Sequence, residues 1–231
     1  MKSLILFVQL FISIVWAGES TCEGNVKVNS KGEYCLFPGI TVVSSIGTKN
    51  GELWSKVYEA LNKSSLIKRY YALLPLNSYH MTTINLFTKK NTSGNWNSFL
   101  EDQLPWFQKL NEKLKIDSFK PQVIKVEPEM FGQTIHLLIQ LGTPQKEKII
   151  SLAKELSLVK KVPNRFHLTL GYLYRDISDK NRKVVKKEFK LLINHILNPS
   201  PDSIEFLEPK LCYFQDMLDF IPWDGKVNPF K

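Results

Sequence analysis

Histidine and cysteine are scarce in this chain, with four and three respectively among 231 residues. No CxxC pair and no Cys/His cluster at zinc spacing occurs, which excludes a structural zinc site of the usual kind. No Gly/Ser linker and no short-period repeat divides the chain, so nothing in the sequence separates two independent halves. Acidic residues are also in the minority, 22 against 31 Lys+Arg, for a formal net charge of +9. Such a surface attracts polyanions: nucleic acid, nucleotide phosphates, acidic glycans or an anionic membrane. A solvated lysine-rich face accounts for the same excess. The hydrophobic content of 43% and the charged content of 23% are ordinary for a globular protein, so the body of the chain should fold around a core.

Only the N-terminus is strongly apolar. Lys2, the stretch Leu4–Trp16 and the small residues that follow form the pattern of a secretory signal peptide, with Val15 and Ala17 at the −3 and −1 places. Residues 1–17 are therefore read as a leader; a signal anchor is the other reading of the same stretch. The mature protein is expected to be secreted and monomeric, without stable membrane association. Cys22, Cys35 and Cys212 survive cleavage, and an odd number leaves at least one unpaired or joined to another chain. Cys22–Cys35 is the most local pairing; Cys35–Cys212 is the alternative. Asn62-Lys63-Ser64 and Asn91-Thr92-Ser93 are glycosylation sequons.

Residues 18–38 read as a polar, cysteine-bearing irregular arm, and residues 39–231 as the folded body, with one core or two small lobes sharing one. Residues 39–46 read as a strand, and Leu53, Trp54, Val57, Ala60 and Leu61 repeat at helical spacing. A helix over 96–116 contains Pro105, which predicts a kink or a break into two pieces. Two neighbouring strands are expected around a connection at Pro128–Gly132. Helices follow from Pro144 and from a cap at Ser178 or Asp179. Short strands interleaved with helices of unequal length predict an α+β fold with antiparallel or mixed sheets.

Two of the four histidines share one arrangement. "NSYHMTTINLF" (77–87) and "NRFHLTLGY" (164–172) each set a His two residues before a Thr inside an apolar run. In a strand, residues i and i+2 project to the same face. His80 and Thr82 therefore point together, as do His167 and Thr169. Tyr79, Met81 and Thr83 point the other way, as do Phe166, Leu168 and Leu170, giving each strand a back suited to packing on helices. Gly171 leaves space beside the second pair, which predicts room for a ligand to approach. Histidine titrates near neutrality, so two facing a phosphate can divide acid and base work, while the hydroxyls hold non-bridging oxygens. No cofactor and no metal is implied by that chemistry.

The flanking residues "LPLNSYHMTTINLF" and "NRFHLTLGYLY" closely resemble the paired signatures of the two-histidine phosphoesterase superfamily, which includes the LigT-like RNA cyclic phosphodiesterases. The first motif is most similar to a little-characterised branch reading Leu-Pro-x-x-Ser-Tyr/Phe-His-Met-Thr. The resemblance spans roughly residues 39–221. It implies a bilobal α+β body around a central cleft, with His80 and His167 as the catalytic pair and Thr82 and Thr169 as phosphate-binding hydroxyls. Arg165 and Tyr172 bracket the second motif and are candidates to contact phosphate or to stack on a base, as is Tyr174. His136 shares a strand face with Thr134 and reads as a satisfied sheet histidine; His195 flanks a helical stripe and reads as structural.

The expected activity is hydrolysis of a nucleoside or RNA-terminal 2′,3′-cyclic phosphate without a metal. Cyclic dinucleotides or other small 2′,5′- or 3′,5′-linked nucleotides are the alternative substrates. A non-catalytic RNA- or nucleotide-binding module is the alternative from another class. Lys183, Lys186, Lys187 and Lys190 form a basic helix face open to further polyanions.

Overall fold

In the computed structural model, Cys22, residues 26–198 and residues 203–231 are described. The leader over residues 1–17 lies outside the described residues. Alternation along the two motif strands carries the fold. Tyr79, Met81 and Thr83 are buried on one side, and so are Phe166, Leu168 and Leu170, while His80, Thr82, His167 and Thr169 keep solvent exposure.

Among the described residues, nine strands and five α-helices are joined in the order β1 (Gly39–Ser45), α1 (Gly51–Lys63), α2 (Ser65–Lys68), β2 (Tyr71–Leu73), β3 (His80–Thr88), α3 (Trp96–Ile116), β4 (Gln122–Phe131), β5 (Thr134–Leu141), α4 (Thr143–Glu155), β6 (Phe166–Leu173), α5 (Asp179–Ile196), β7 (Ile204–Glu205), β8 (Lys210–Phe214) and β9 (Ile221–Pro222). The strand order is β7-β4-β5-β6-β3-β1-β8-β9, with β2 also on β6. All pairs among the described residues are antiparallel. The architecture is the expected α+β class, with helices flanking a curled antiparallel sheet.

The sheet has two well-paired halves that meet at one point. β5 pairs with β6 from Thr134–Tyr172 to Ile139–Phe166, and β1 pairs with β3 from Gly39–Thr88 to Ser45–His80. Between β3 and β6 the register holds only Met81 opposite Leu168. Each half has its own core. Trp54, Val57 and Leu61 of α1 and Val185, Phe189 and Ile193 of α5 pack over β5 and β6. Leu100, Phe107 and Leu110 of α3 pack over Ile40, Ile84 and Leu211. Residues at helical spacing on these helices put one apolar stripe against the sheet, and burying it is what holds them there.

Two details differ from the sequence reading. α3 is continuous through Pro105 rather than broken, because Leu100, Phe107, Leu110 and Leu114 bury a stripe on both sides of the proline. β4 continues through Pro128 to Phe131 and turns at Gly132, whose φ of +57° suits glycine. Pro128 is tolerated because β4 pairs with β7 only at Gln122 and Val123, so that edge is otherwise open.

Among the described residues no helix is long and apolar enough to cross a membrane. Cys22 is bonded to Cys35 with Cα atoms 5.8 Å apart, and Cys212 is free and buried in β8. Burial pushes the Cys212 thiol up to about 12, leaving it protonated and inert. The described part of the arm is a hairpin rather than irregular chain. Val28 bridges to Tyr34, and Asn29 Oδ1 accepts from the amides of Lys31 and Glu33 to close the turn.

Candidate active site

The Met81–Leu168 bridge sets the geometry. Continuing its antiparallel register one residue each way sets His80 opposite Thr169 and Thr82 opposite His167. Each half thus contributes one imidazole and one hydroxyl, related by an approximate twofold axis through the bridge. The period of two sends all four side chains to the face away from Met81 and Leu168. They line one cleft of about 370 Å³, within the range of roughly 300–1,000 Å³ typical of small-molecule sites.

The residues before each motif explain how the rings are aimed. After Leu74 bonds to Leu170, the chain leaves β6, makes a 3-10 turn over Leu76–Ser78, and returns at Met81. Pro75 opens that turn, and its carbonyl accepts from the Ser78 hydroxyl at 2.8 Å. The turn presents the Ser78 carbonyl 2.7 Å from His80 Nδ1. A carbonyl only accepts, so Nδ1 carries the proton and Nε2 is the free nitrogen. The second motif repeats the device: His167 Nδ1 lies 3.3 Å from the carbonyl of Arg165.

The two rings differ in surroundings. His80 is half-buried and lies against Phe220, with ring centroids 3.9 Å apart. Burial pushes its pKa down to about 4; proximity to His167 and Lys27 pushes the same way, against the hydrogen bond from the ring to Ser78. His80 is therefore neutral at pH 7, with its Nε2 lone pair available. His167 is exposed, and its ring centroid is 5.1 Å from that of His136.

The remaining candidates divide. Tyr172 lines the cleft, with its hydroxyl donating to Met217 Sδ at 3.4 Å. Arg165 does not line it: its guanidinium reaches Glu129 at 2.9 Å, drawn to the carboxylate that also holds His136 Nε2 at 3.1 Å. Glu129 stays below the usual carboxylate range, because those two hydrogen bonds outweigh the opposing effect of burial. His136 is buried and satisfied by Glu129 and Thr134, and burial lowers its pKa. Tyr174 donates to the carbonyl of Lys68 and lies outside this cleft. His195 is exposed on α5, as are Lys183, Lys186, Lys187 and Lys190. Gly171 makes no room for a ligand. A Cβ there would meet the Ala72 carbonyl oxygen at 2.7 Å, so the bare backbone admits strand β2 instead.

Several lining residues carry no signal in the sequence. Phe220 and Met217 come from the segment after β8, and Lys27 and Phe37 from the N-terminal arm. A bulge leaves Thr83 unpaired between Val42–Ile84 and Val43–Thr82, and Asn85 beyond it lines the cleft.

Residues 27–130 match the sequence model of a family described as 2H-phosphodiest, a domain of unknown function (DUF1868). The match begins inside the arm, earlier than the resemblance at position 39, and stops before the second motif. Uncharacterized protein 127L of Invertebrate iridescent virus 6 is 26% identical over 193 residues, covering 72% of this chain and 82% of that protein. Among solved structures, the conserved protein of unknown function ATU0111 from Agrobacterium tumefaciens aligns with a TM-score of 0.60 at 16% identity, covering 85% of this chain and 89% of that one. Kluyveromyces marxianus Usb1 aligns with a TM-score of 0.50 at 14% identity, covering 81% and 98%. At such identities the structural likenesses speak to fold alone. The family match and the paired motifs agree with that likeness of fold, so the chain is similar to two-histidine phosphoesterases.

Proposed function

We propose that the protein is an exported phosphodiesterase that opens a nucleoside or RNA-terminal 2′,3′-cyclic phosphate by paired-histidine acid–base catalysis. The single observation that carries this reading is the pseudo-twofold quartet around Met81–Leu168, with both histidines locked to present Nε2. His80, neutral at pH 7, takes a proton from water as the water oxygen attacks phosphorus. The bond from phosphorus to one ribose oxygen breaks, and His167, carrying a proton on both nitrogens at the start of the cycle, gives that oxygen its Nε2 proton. The product is a nucleoside monophosphate, and proton exchange with solvent restores both rings. Thr82 and Thr169 donate to the non-bridging oxygens, where charge gathers in the transition state. Phe220 and Tyr172 offer apolar surface for the nucleoside. Export rests on the leader pattern, and the Cys22–Cys35 bond suits an oxidising compartment.

The test is an assay in EDTA of the purified protein on cyclic mononucleotides, RNA ending in a cyclic phosphate, cyclic dinucleotides and 2′,5′-linked nucleotides. The 2′,3′-cyclic phosphates should turn over fastest and yield one monophosphate isomer. Preference for cyclic dinucleotides or 2′,5′ bonds would move the substrate class. Tight nucleotide binding with no turnover on any of them would make the protein a binding module.

A further inference from the structure

The four motif residues give the cleft hydrogen-bond donors for phosphate but no fixed positive charge. Lys27 supplies one. It lies in the cleft wall together with His80, Thr82, His167 and Thr169. Its ammonium is 3.4 Å from the Tyr172 hydroxyl, 4.9 Å from the Tyr172 ring centroid and 5.4 Å from that of Phe37. These partners among the described residues are neutral, and two of them are ring faces. They steady the side chain without cancelling its charge. A half-buried ammonium held this way is open to an anion that enters the cleft.

The chain goes to some length to put Lys27 there. Its carbonyl accepts from the amide of Cys35 at 3.0 Å, and Cys35 is the residue bonded to Cys22. The hairpin turn packs its Gly32, with φ of +88°, on the ring of Tyr174. The hairpin is further tied to the body by Tyr34 donating to the carbonyl of Ala72 at 3.0 Å and by Phe37 N donating to that of Gln215 at 2.7 Å. Both anchor points are neighbours of the cleft: Ala72 lies on β2 beside β6, and Gln215 follows β8.

We propose that Lys27 is a phosphate-binding residue of the cleft, held in place by a hairpin that the Cys22–Cys35 bond closes. The inference rests on the phosphodiester reading for its ligand class, a phosphate mono- or diester, and extends the site to a segment that neither motif contains. In the oxidised protein the hairpin is fixed and Lys27 faces the phosphate. Without the disulfide the strand bearing Lys27 is joined to its partner by few backbone bonds, and the charge is delivered less often.

Calorimetric titration with adenosine 2′-monophosphate tests this without relying on turnover. Lys27→Met keeps the stem over both rings and removes the charge. It should weaken binding by about 10- to 100-fold, the range for a lost hydrogen bond to a charged group. Lys27→Arg should restore most of it. The double variant Cys22→Ser/Cys35→Ser, verified as folded by circular dichroism, should lose several-fold in affinity. Where the 2′,3′-cyclic substrate is hydrolysed, Lys27→Met should raise KM far more than it lowers kcat. Unchanged affinity in Lys27→Met, loss that Lys27→Arg does not rescue, or no binding to the wild type would each overturn the role of Lys27. Wild-type affinity in the cysteine double variant would overturn the role of the disulfide. Absence of turnover with the binding pattern intact would instead sink the catalytic reading alone.

Discussion

At the first motif the imidazole is gripped: His80 Nδ1 is 2.7 Å from its carbonyl, and Phe220 covers the ring at 3.9 Å. At the second, the same device is looser and open to water, with His167 Nδ1 3.3 Å from Arg165. Covalently the two units are the same, His-x-Thr on a strand with the ring tied to the residue two before it. What separates them is the segment that lands on each. The tail after β8 folds Phe220 onto His80, while His167 has His136 as its ring neighbour. The difference teaches that a symmetric hydrogen-bond frame can carry asymmetric proton chemistry: burial first, with His167 and Lys27 acting the same way, pushes His80 below its ordinary value.

Removing either ring breaks the comparison outright. His80→Ala and His167→Ala should each lower kcat by about 10² to 10⁴. The double variant should fall little further, because the pair acts as a unit. Equal additive losses in a double-mutant cycle would mean that each motif works alone. Next in size are the hydroxyls. Thr82→Val and Thr169→Val keep the β-branched shape and should cost about 10² to 10³ in kcat. Because each Thr stands across from the other motif's His, the two losses should be similar even though the histidines differ. A change confined to KM would limit the threonines to ground-state binding. The smallest effect sharpens the contrast most. Phe220→Leu should hydrate His80, move the acidic limb of the pH–rate profile upward and change turnover at pH 7 only modestly. If the limb stayed in place, Phe220 would not be what keeps His80 neutral.

The quartet was legible in the sequence for a physical reason. Strand side chains alternate, so His-x-Thr with apolar neighbours fixes which atoms share a face before any contact is known. The apolar backs of both strands, Met81 and Leu168 above all, are buried as that alternation requires. Contacts made by chain ends were not legible. Phe220 and Lys27 lie far in sequence from the histidines they neighbour and reach them through β8 and the disulfide hairpin. Arg165 reads from the sequence as a phosphate ligand because it is basic and adjacent to the motif. Its guanidinium goes instead to Glu129, 36 residues away, and no local pattern encodes that. Gly171 misleads in the same way: a glycine on a strand signals a close approach, but not by whom, and here the approaching group is the backbone of Ala72. Pro105 shows tertiary burial overriding a local helix-breaking signal.

The pH dependence of kcat/KM in EDTA bears on the central claim, that a neutral His80 and its partner His167 divide the proton transfers. This quantity reports the free protein, and hence the state in which burial holds His80 near 4. As pH falls through that value the ring takes a proton and the base is lost, so the acidic limb should lie well below the ordinary histidine value of about 6.5. The account predicts a bell with that low acidic limb, activity retained in EDTA, and loss of the limb in His80→Ala. An acidic limb at or above the ordinary histidine value, or activity that disappears in EDTA, would contradict it.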